Sequence, residues 1–298
     1  MNGRIGPVLC VLLLWSGAHA QAPDSLGSTV HRDRLLAVSI GGGAVIAGTL
    51  IALDRAWYAD YERSSFHTFN DGDEWLQMDK AGHFFSSYTV GRWGHGLLRW
   101  TGVNERTSTW VGGSLGFAYL TAVEVLDGTS AEWGFSWWDM AANAAGTALF
   151  IGQQLGWKEQ RIVPKFSAHL TPYAEQRPDL LGETTMERIL KDYNGQTYWL
   201  SANLHAFMTA SKLPPWLNLA VGYGAEGMTA ARPPYTMEAD GSARAFRQFY
   251  LSPDLALTRI PTKSKVLRTL LFVLDCVKVP APTLEFSEGG VKGHWIYF

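Results

Sequence analysis

Asp79 and His83 stand four residues apart, a spacing that puts both side chains on one face of a helix. Lys80 lies beside Asp79, and Ser86 lies about one turn past His83. Further along come Glu124, with Asp127 three residues later, and Asp139 with Asn143 at another four-residue spacing. A carboxylate that orients a histidine is the core of general acid–base machinery, and a nearby serine supplies a nucleophile. In that chemistry Asp79 orients His83, His83 is the base, Glu124 or Asp139 is a second acid or base, and Ser86 is the nucleophile. A second reading is ligand or metal binding, since one histidine with several carboxylates can hold a divalent ion. No HExxH or paired-histidine spacing is present, so no metal ligand is assigned. The third reading is structural: the groups pair with one another and cap helix ends, as Ser136 and Asp139 do in a capping-box spacing. All three remain open on these residues alone.

These groups sit among apolar helices. Leu35 to Leu53 is a run of nineteen residues without a charge, just long enough to cross a bilayer, followed by Trp57 and Tyr58 at an interface-like position. The pattern predicts a second helix over 78–100, a third over 109–126 and a fourth over 136–157. Gly112, Gly116, Gly146 and Gly152 favour close helix contacts, as does Gly41-Gly42-Gly43. Arg92 and His95 read as interfacial, and His169, His205 and His294 as peripheral. Ionisable groups are costly at membrane depth, so the Asp79/His83 face is expected to meet Glu124 and the Asp139/Asn143 face. The loop 57–77 carries an Asn70-Asp71-Gly72 turn. Residues 158–197 read as surface structure. The remainder favours short antiparallel strands, with one amphipathic helix near 264–279.

Hydrophobic residues make up 47% of the chain and charged residues 17%, below the ~25% of an average soluble domain. Thirteen tryptophans and 31 glycines agree with a membrane setting. The net charge of −2 and the lack of basic runs argue against nucleic acid as a partner. Arg4, the apolar stretch Val8–Trp15 and Ala18-His19-Ala20 have the form of a secretory signal over 1–20. With that segment removed, only Cys276 is left, so no internal disulfide is expected.

The strings MDKAGHFFSSY and EVLDGTSAEWGFSWWDMAANAAGTALFIGQQL resemble the YfiM-like family, described as predicted periplasmic or envelope lipoproteins of unknown function. The resemblance covers about 78–155 and implies an envelope location without naming a reaction. Its pattern falls on Asp79, Lys80, His83, Phe84, Glu124, Gly134, Ser136, Trp137, Asp139 and Gly146. The longer segments WYADY, FNDGDEWLQ and KDYNGQTYWLS resemble members from Bacteroidota. The chain departs from the short lipoprotein members in that Cys10 lies inside the apolar stretch without the small residues of a lipidation site. A fainter similarity is to VanZ-like membrane proteins, which also combine Asp-Lys-x-x-His with a later Asp…Asn…Gly helix.

The expected fold is therefore mainly α: a small membrane-associated four-helix bundle over 35–157, after a polar lead-in over 21–34, with a β-containing C-terminal region over 158–298. The expected function is an envelope protein of a Gram-negative cell, exported and membrane-associated, serving envelope maintenance or assembly. The alternative is a membrane-embedded hydrolase or transferase acting on a lipid or cell-wall intermediate. Catalytic candidates are Asp79, Lys80, His83, Ser86, Glu124 and Asp139, and binding candidates are Asp127, Ser136, Trp137 and Asn143. Membrane lipid is the expected partner, with another envelope protein as a second candidate. The residues name no cofactor and no oligomeric state.

Overall fold

The computed structural model describes residues 29–58, 61–208, 212–236 and 244–298. The signal segment 1–20 and the start of the lead-in lie outside the described residues, as does the side chain of Trp57. Helix α1 (Arg32–Leu53) begins three residues before the uncharged run and has no buried residue. It alone among the described helices is long and apolar enough to cross a membrane. Helix α2 (Met78–Trp100) matches its predicted bounds. The predicted third helix is shorter: a wide turn at Ser108–Gly112 precedes α3 (Leu115–Asp127). Helix α4 (Trp137–Trp157) starts after Ser136, whose Oγ accepts the Asp139 backbone N–H at 3.0 Å, as an N-cap does.

The expectation of a small membrane-associated four-helix bundle is overturned. Among the described residues only α1 passes as a span, and an antiparallel sheet of six strands stands beside the helices. The physical reasons lie in the helices themselves. Thirteen residues at ~1.5 Å each leave α3 too short for a bilayer. Both α2 and α4 bury polar groups, including Arg92, Asn143, Gln153 and Gln154.

The sheet is a meander: β3 (Ile162–Ala168), β4 (Gln196–Asn203), β5 (Leu217–Glu226), β6 (Phe246–Leu255), β7 (Ala281–Ser287) and β8 (Gly290–Tyr297), each beside its predecessor. A short parallel pair, β1 (Thr68–Phe69) with β2 (Phe135–Ser136), ties the loop before α2 to the start of α4. The predicted amphipathic helix is α5 (Lys265–Leu274). Residues 158–197 are not all surface: they include β3, whose Lys165 is completely buried, and Leu181 and Asn194, also buried.

Helix α2 is the centre of the helical layer, packed against α3 and α4 on one side and against β3 and β4 on another. The close approach depends on glycine. A methyl group at Gly116 would run into the Ser87 carbonyl oxygen, and one at Gly146 into that of Phe84. Gly152 and Gly41-Gly42-Gly43 border open space instead, and among the described residues they make no close helix contact. Arg92 is not interfacial but buried, donating to Asp275 at 2.7 Å. His95 lies 3.1 Å from Glu105, and His294, expected to be peripheral, lies 2.7 Å from Glu285.

Candidate functional site

The first turn of α2, the last turn of α3 and the first turn of α4 share one end of the helical layer, and the loop before α2 folds over them. That loop enters α2 under constraint. Trp75, Leu76 and Gln77 all have positive φ (49°, 49° and 65°), a conformation unfavourable for side chains other than glycine. The surroundings hold it. Leu76 packs with Met78, Ala225 and Met228, and Trp75 N–H donates to Ala231 O at 2.7 Å. Tyr223 donates to Leu76 O, and Arg247 donates to the Gln77 side chain at 2.6 Å. The sheet and the segment between β5 and β6 thus fix the direction in which α2 begins.

Lys80 is at the centre of the site. Its ammonium donates to Asp71 and, at 2.9 Å, to Asp79, and it lies 3.0 Å from Asp139 Oδ1. Asp71 also accepts from Ser136 Oγ at 2.5 Å, and Ser136 N–H donates to Glu124 at 3.0 Å. Beside this group His83 has its Nδ1 3.1 Å from Asn143 Oδ1 and 3.7 Å from Glu124 Oε1, and its Nε2 3.8 Å from Asp79. Asp79 accepts from Tyr193 at 2.8 Å. Asp127 accepts from Tyr58 at 2.5 Å. The expected meeting of Asp79 and His83 with Glu124, Asp139 and Asn143 is therefore present, and Lys80 and Ser136 join it.

Two candidates stand apart. No hydrogen bond reaches the Ser86 hydroxyl from the described residues; the buried hydroxyl here is Ser87, which donates to Asn143 O at 2.6 Å. Trp137 is 68% exposed and packs only edge-on against Phe135. Sequence reasoning overlooked Asp71, read only as part of a turn, and Tyr58 and Tyr193. The three acids of NDGDEW (Asp71, Asp73 and Glu74) beside a helix start were a usable sign for Asp71. Tyr193 left none, because it lies more than a hundred residues from its partner.

Burial and neighbouring charge divide the carboxyls into two kinds. Burial pushes Asp79 up, but His83, Lys80 and the Tyr193 hydroxyl outweigh it and bring it down to about 2. Asp71 is also lowered: burial opposes, while hydrogen bonds from Asp139, Lys80 and Ser136 prevail. Asp139 rises to about 10 through burial, the Asp79 charge and its hydrogen bond with Asp71, against the pull of Lys80. Burial, with Asp127 and Asp79 nearby, lifts Glu124 to about 8 despite the Ser136 N–H. Asp127 is lifted to about 7 by burial, opposed by Tyr58 and reinforced by Asp79 and Asp71. Lys80 is raised: burial is outweighed by Asp79 and Asp139. At neutral pH the cluster holds Lys80 against ionised Asp71 and Asp79, with Asp139 protonated toward Asp71. Glu124 is largely neutral, and its Oε1 and the Asn143 Nδ2 lack hydrogen-bond partners.

Ligand atoms of Asp79, His83 and Asp139 lie within 4.8 Å of one another, a grouping able to hold a cation. The Lys80 ammonium already occupies the space between Asp79 and Asp139, and it faces the ionised Asp71 and Asp79. The donor set therefore suits an internal ammonium better than a divalent metal.

Residues 68–152, less than a third of the chain, match the model of a family described as predicted periplasmic lipoprotein (DUF2279). The match runs from β1 through most of α4 and includes Asp71, Asp79, Lys80, His83, Glu124, Asp127, Ser136, Asp139 and Asn143. It agrees with the uncharacterised envelope lipoprotein family recognised in the sequence and with a cell-envelope location, and it names no reaction. No curated protein and no solved structure matches the chain.

Proposed function

We propose that this envelope protein has a structural role in envelope maintenance or assembly, with α1 lying in a membrane and the Lys80 cluster acting as a clamp between the helical layer and the sheet. The observation that carries the reading is the origin of the groups around Lys80. Asp71 comes from the loop, Asp79 from α2 and Asp139 from α4, and Asp79 is bonded in turn to Tyr193 just before β4. A charge satisfied from three segments fixes their relative placement, whereas a catalytic lysine or carboxylate keeps a face free for substrate.

A second reading has one observation in its favour. The unpartnered Glu124 Oε1 lies 3.7 Å from His83, and a largely neutral Glu124 is suited to act as an acid beside a histidine base. That is the arrangement of a hydrolase or transferase acting on a lipid or cell-wall intermediate.

The discriminating experiment compares Lys80→Met with His83→Ala in cells lacking the native copy. The clamp reading expects Lys80→Met to lose protein abundance and melting temperature, and His83→Ala to restore envelope integrity. A His83→Ala protein that is abundant and folded yet fails to restore the envelope overturns the clamp reading in favour of the catalytic one.

A further inference from the structure

The sheet turns its polar side inward and its apolar side outward. Lys165, on β3, is completely buried, 2.8 Å from Asp254 and donating to Leu255 O at 2.6 Å. Ser201 donates to the same aspartate at 2.6 Å, and Lys278 donates to Pro253 O at 3.0 Å. Gln248 donates to Glu285 at 3.2 Å. Alternate residues on the other side are Leu219, Val221, Phe249, Leu284 and Phe286, each at least 40% exposed. Among the described residues, more polar and charged side chains than hydrophobic ones are buried. A sheet in water has the opposite arrangement, because burying apolar side chains is what drives it together.

The sheet also curls back on itself. The Tyr297 hydroxyl, on β8, lies 2.7 Å from that of Tyr250 and 3.1 Å from Thr197 Oγ1 on β4. The segment before β7 pairs with the far edge of β3: Phe166 N–H donates to Cys276 O at 2.8 Å, and Lys278 N–H to Phe166 O at 2.9 Å. The outer side of β3 and the start of β4 is covered by α2, with Phe85 stacked near Phe166 and Tyr198. Among the described residues, no element covers the outer side of β5, β6 and β7 beyond the end that the loop before α2 holds at Tyr223 and Arg247.

From this inverted pattern we propose that the outer face of β5–β7 contacts lipid acyl chains, so that the curled sheet is itself inserted in the membrane. An outward apolar band around a polar, hydrogen-bonded interior is the pattern of strands in a bilayer. Length agrees: β5 and β6 have ten residues each, ~34 Å of chain, which at a tilt of ~45° rises about as far as the ~25 Å apolar band. The ends of the face agree too. Arg247 and Tyr223 lie at the end held by the loop before α2, and Trp216 lies at the other. Helix α1, which has no buried residue, is a second apolar surface on the same chain that needs lipid. A second copy seated on this face is the competing occupant. It explains the exposure but not the buried Lys165–Asp254 pair, which a water-soluble strand would turn outward. The inference stands on the sheet alone and does not depend on the role of the Lys80 cluster.

The test uses the full chain in phosphatidylethanolamine/phosphatidylglycerol vesicles that carry a diazirine on the acyl chain. After illumination, peptide mass spectrometry is expected to find lipid adducts on Leu219–Val221, Phe249–Leu251 and Leu284–Phe286 as well as on α1. Adducts confined to α1 overturn the proposal. A second measurement places a polarity-sensitive fluorophore at Val221→Cys, Phe249→Cys or Leu284→Cys, with Cys10 and Cys276 replaced by serine. Blue-shifted emission quenched by nitroxide lipids is expected. Quenching by iodide instead puts the face in water. Protection from both quenchers, with cross-links between copies, gives the face to a second copy; either result overturns the proposal.

Discussion

Tyr193 donates a 2.8 Å hydrogen bond to Asp79, joining the turn that precedes β4 to the first turn of α2. Both groups are held in place independently. Lys80 binds the other Asp79 oxygen, and the Tyr193 ring lies 5.3 Å from that of Trp75. Tyr193→Phe keeps the ring and removes the bond to a charged acceptor. It is expected to lower stability by about 1.5–3 kcal/mol in a denaturant titration. No change in midpoint would mean that water serves Asp79 equally well.

Lys80→Met leaves Asp71 and Asp79 buried without their cation. Removing one partner of a buried pair costs about 3–5 kcal/mol, and a fall of that size in unfolding free energy is expected. Asp139→Asn should behave differently. Asp139 is held protonated by burial and by Asp79, so an amide that still donates toward Asp71 is expected to cost under ~1 kcal/mol. A loss as large as that of Lys80→Met would show that Asp139 is ionised in the folded protein.

The pH dependence follows from Glu124 and Asp127, which are raised to about 8 and about 7. A carboxyl raised on folding binds more protons in the native state than in the unfolded one. Its contribution is full below the unfolded value near 4.5 or 3.8 and is lost as pH rises through the folded value. Melting temperature should therefore fall from pH 5 to pH 9. Glu124→Gln, which cannot ionise, should flatten that fall. An unchanged slope in the variant would remove Glu124 as its source.

Gly116→Ala forces a methyl group against the Ser87 carbonyl oxygen and is expected to cost about 1–3 kcal/mol, read as a lower thermal midpoint. Gly152→Ala faces open space and should be neutral or slightly stabilising, because alanine favours helix over glycine. Equal effects at the two positions would contradict the packing of α3 on α2.

In the sheet, Lys165→Met takes from Asp254 the nearer of its two buried cations, leaving Lys278 at 3.6 Å, and is expected to cost about 3–5 kcal/mol. The triple change Lys165→Met, Asp254→Leu and Lys278→Met, which removes both cations with their shared carboxylate, should recover much of that loss. A triple variant as unstable as the single one would indicate that Asp254 acts mainly through Ser201 and the other polar neighbours.

The helical layer was legible because its signals are local. The bounds of α2, the Ser136 cap and the four-residue pairs Asp79/His83 and Asp139/Asn143 all depend on residues within a turn of one another. The convergence of those pairs also followed, since buried charges must find partners. The number of membrane spans did not follow. An apolar helix reads alike whether its face meets lipid or another helix, and α3 and α4 spend their small residues on α2. The sheet was only glimpsed, as short antiparallel strands after residue 197. Its inversion escaped because alternation fixes two faces without saying which is inside. The inner side became identifiable only when Lys165 met Asp254, 89 positions away in the chain.

The order of the meander bears on how the molecule assembles. Each strand from β4 to β8 lies beside the one made just before it, so the sheet can grow in chain order, although only β7 and β8 are joined by a tight turn and the other connections are longer loops. The contact between Tyr297 and Thr197 spans a hundred residues and can form only when β8 is in place. During synthesis or export, the ion pairs around Lys165 would therefore remain open to water until residues 275–278 return to β3, and the Tyr297 contacts would close last.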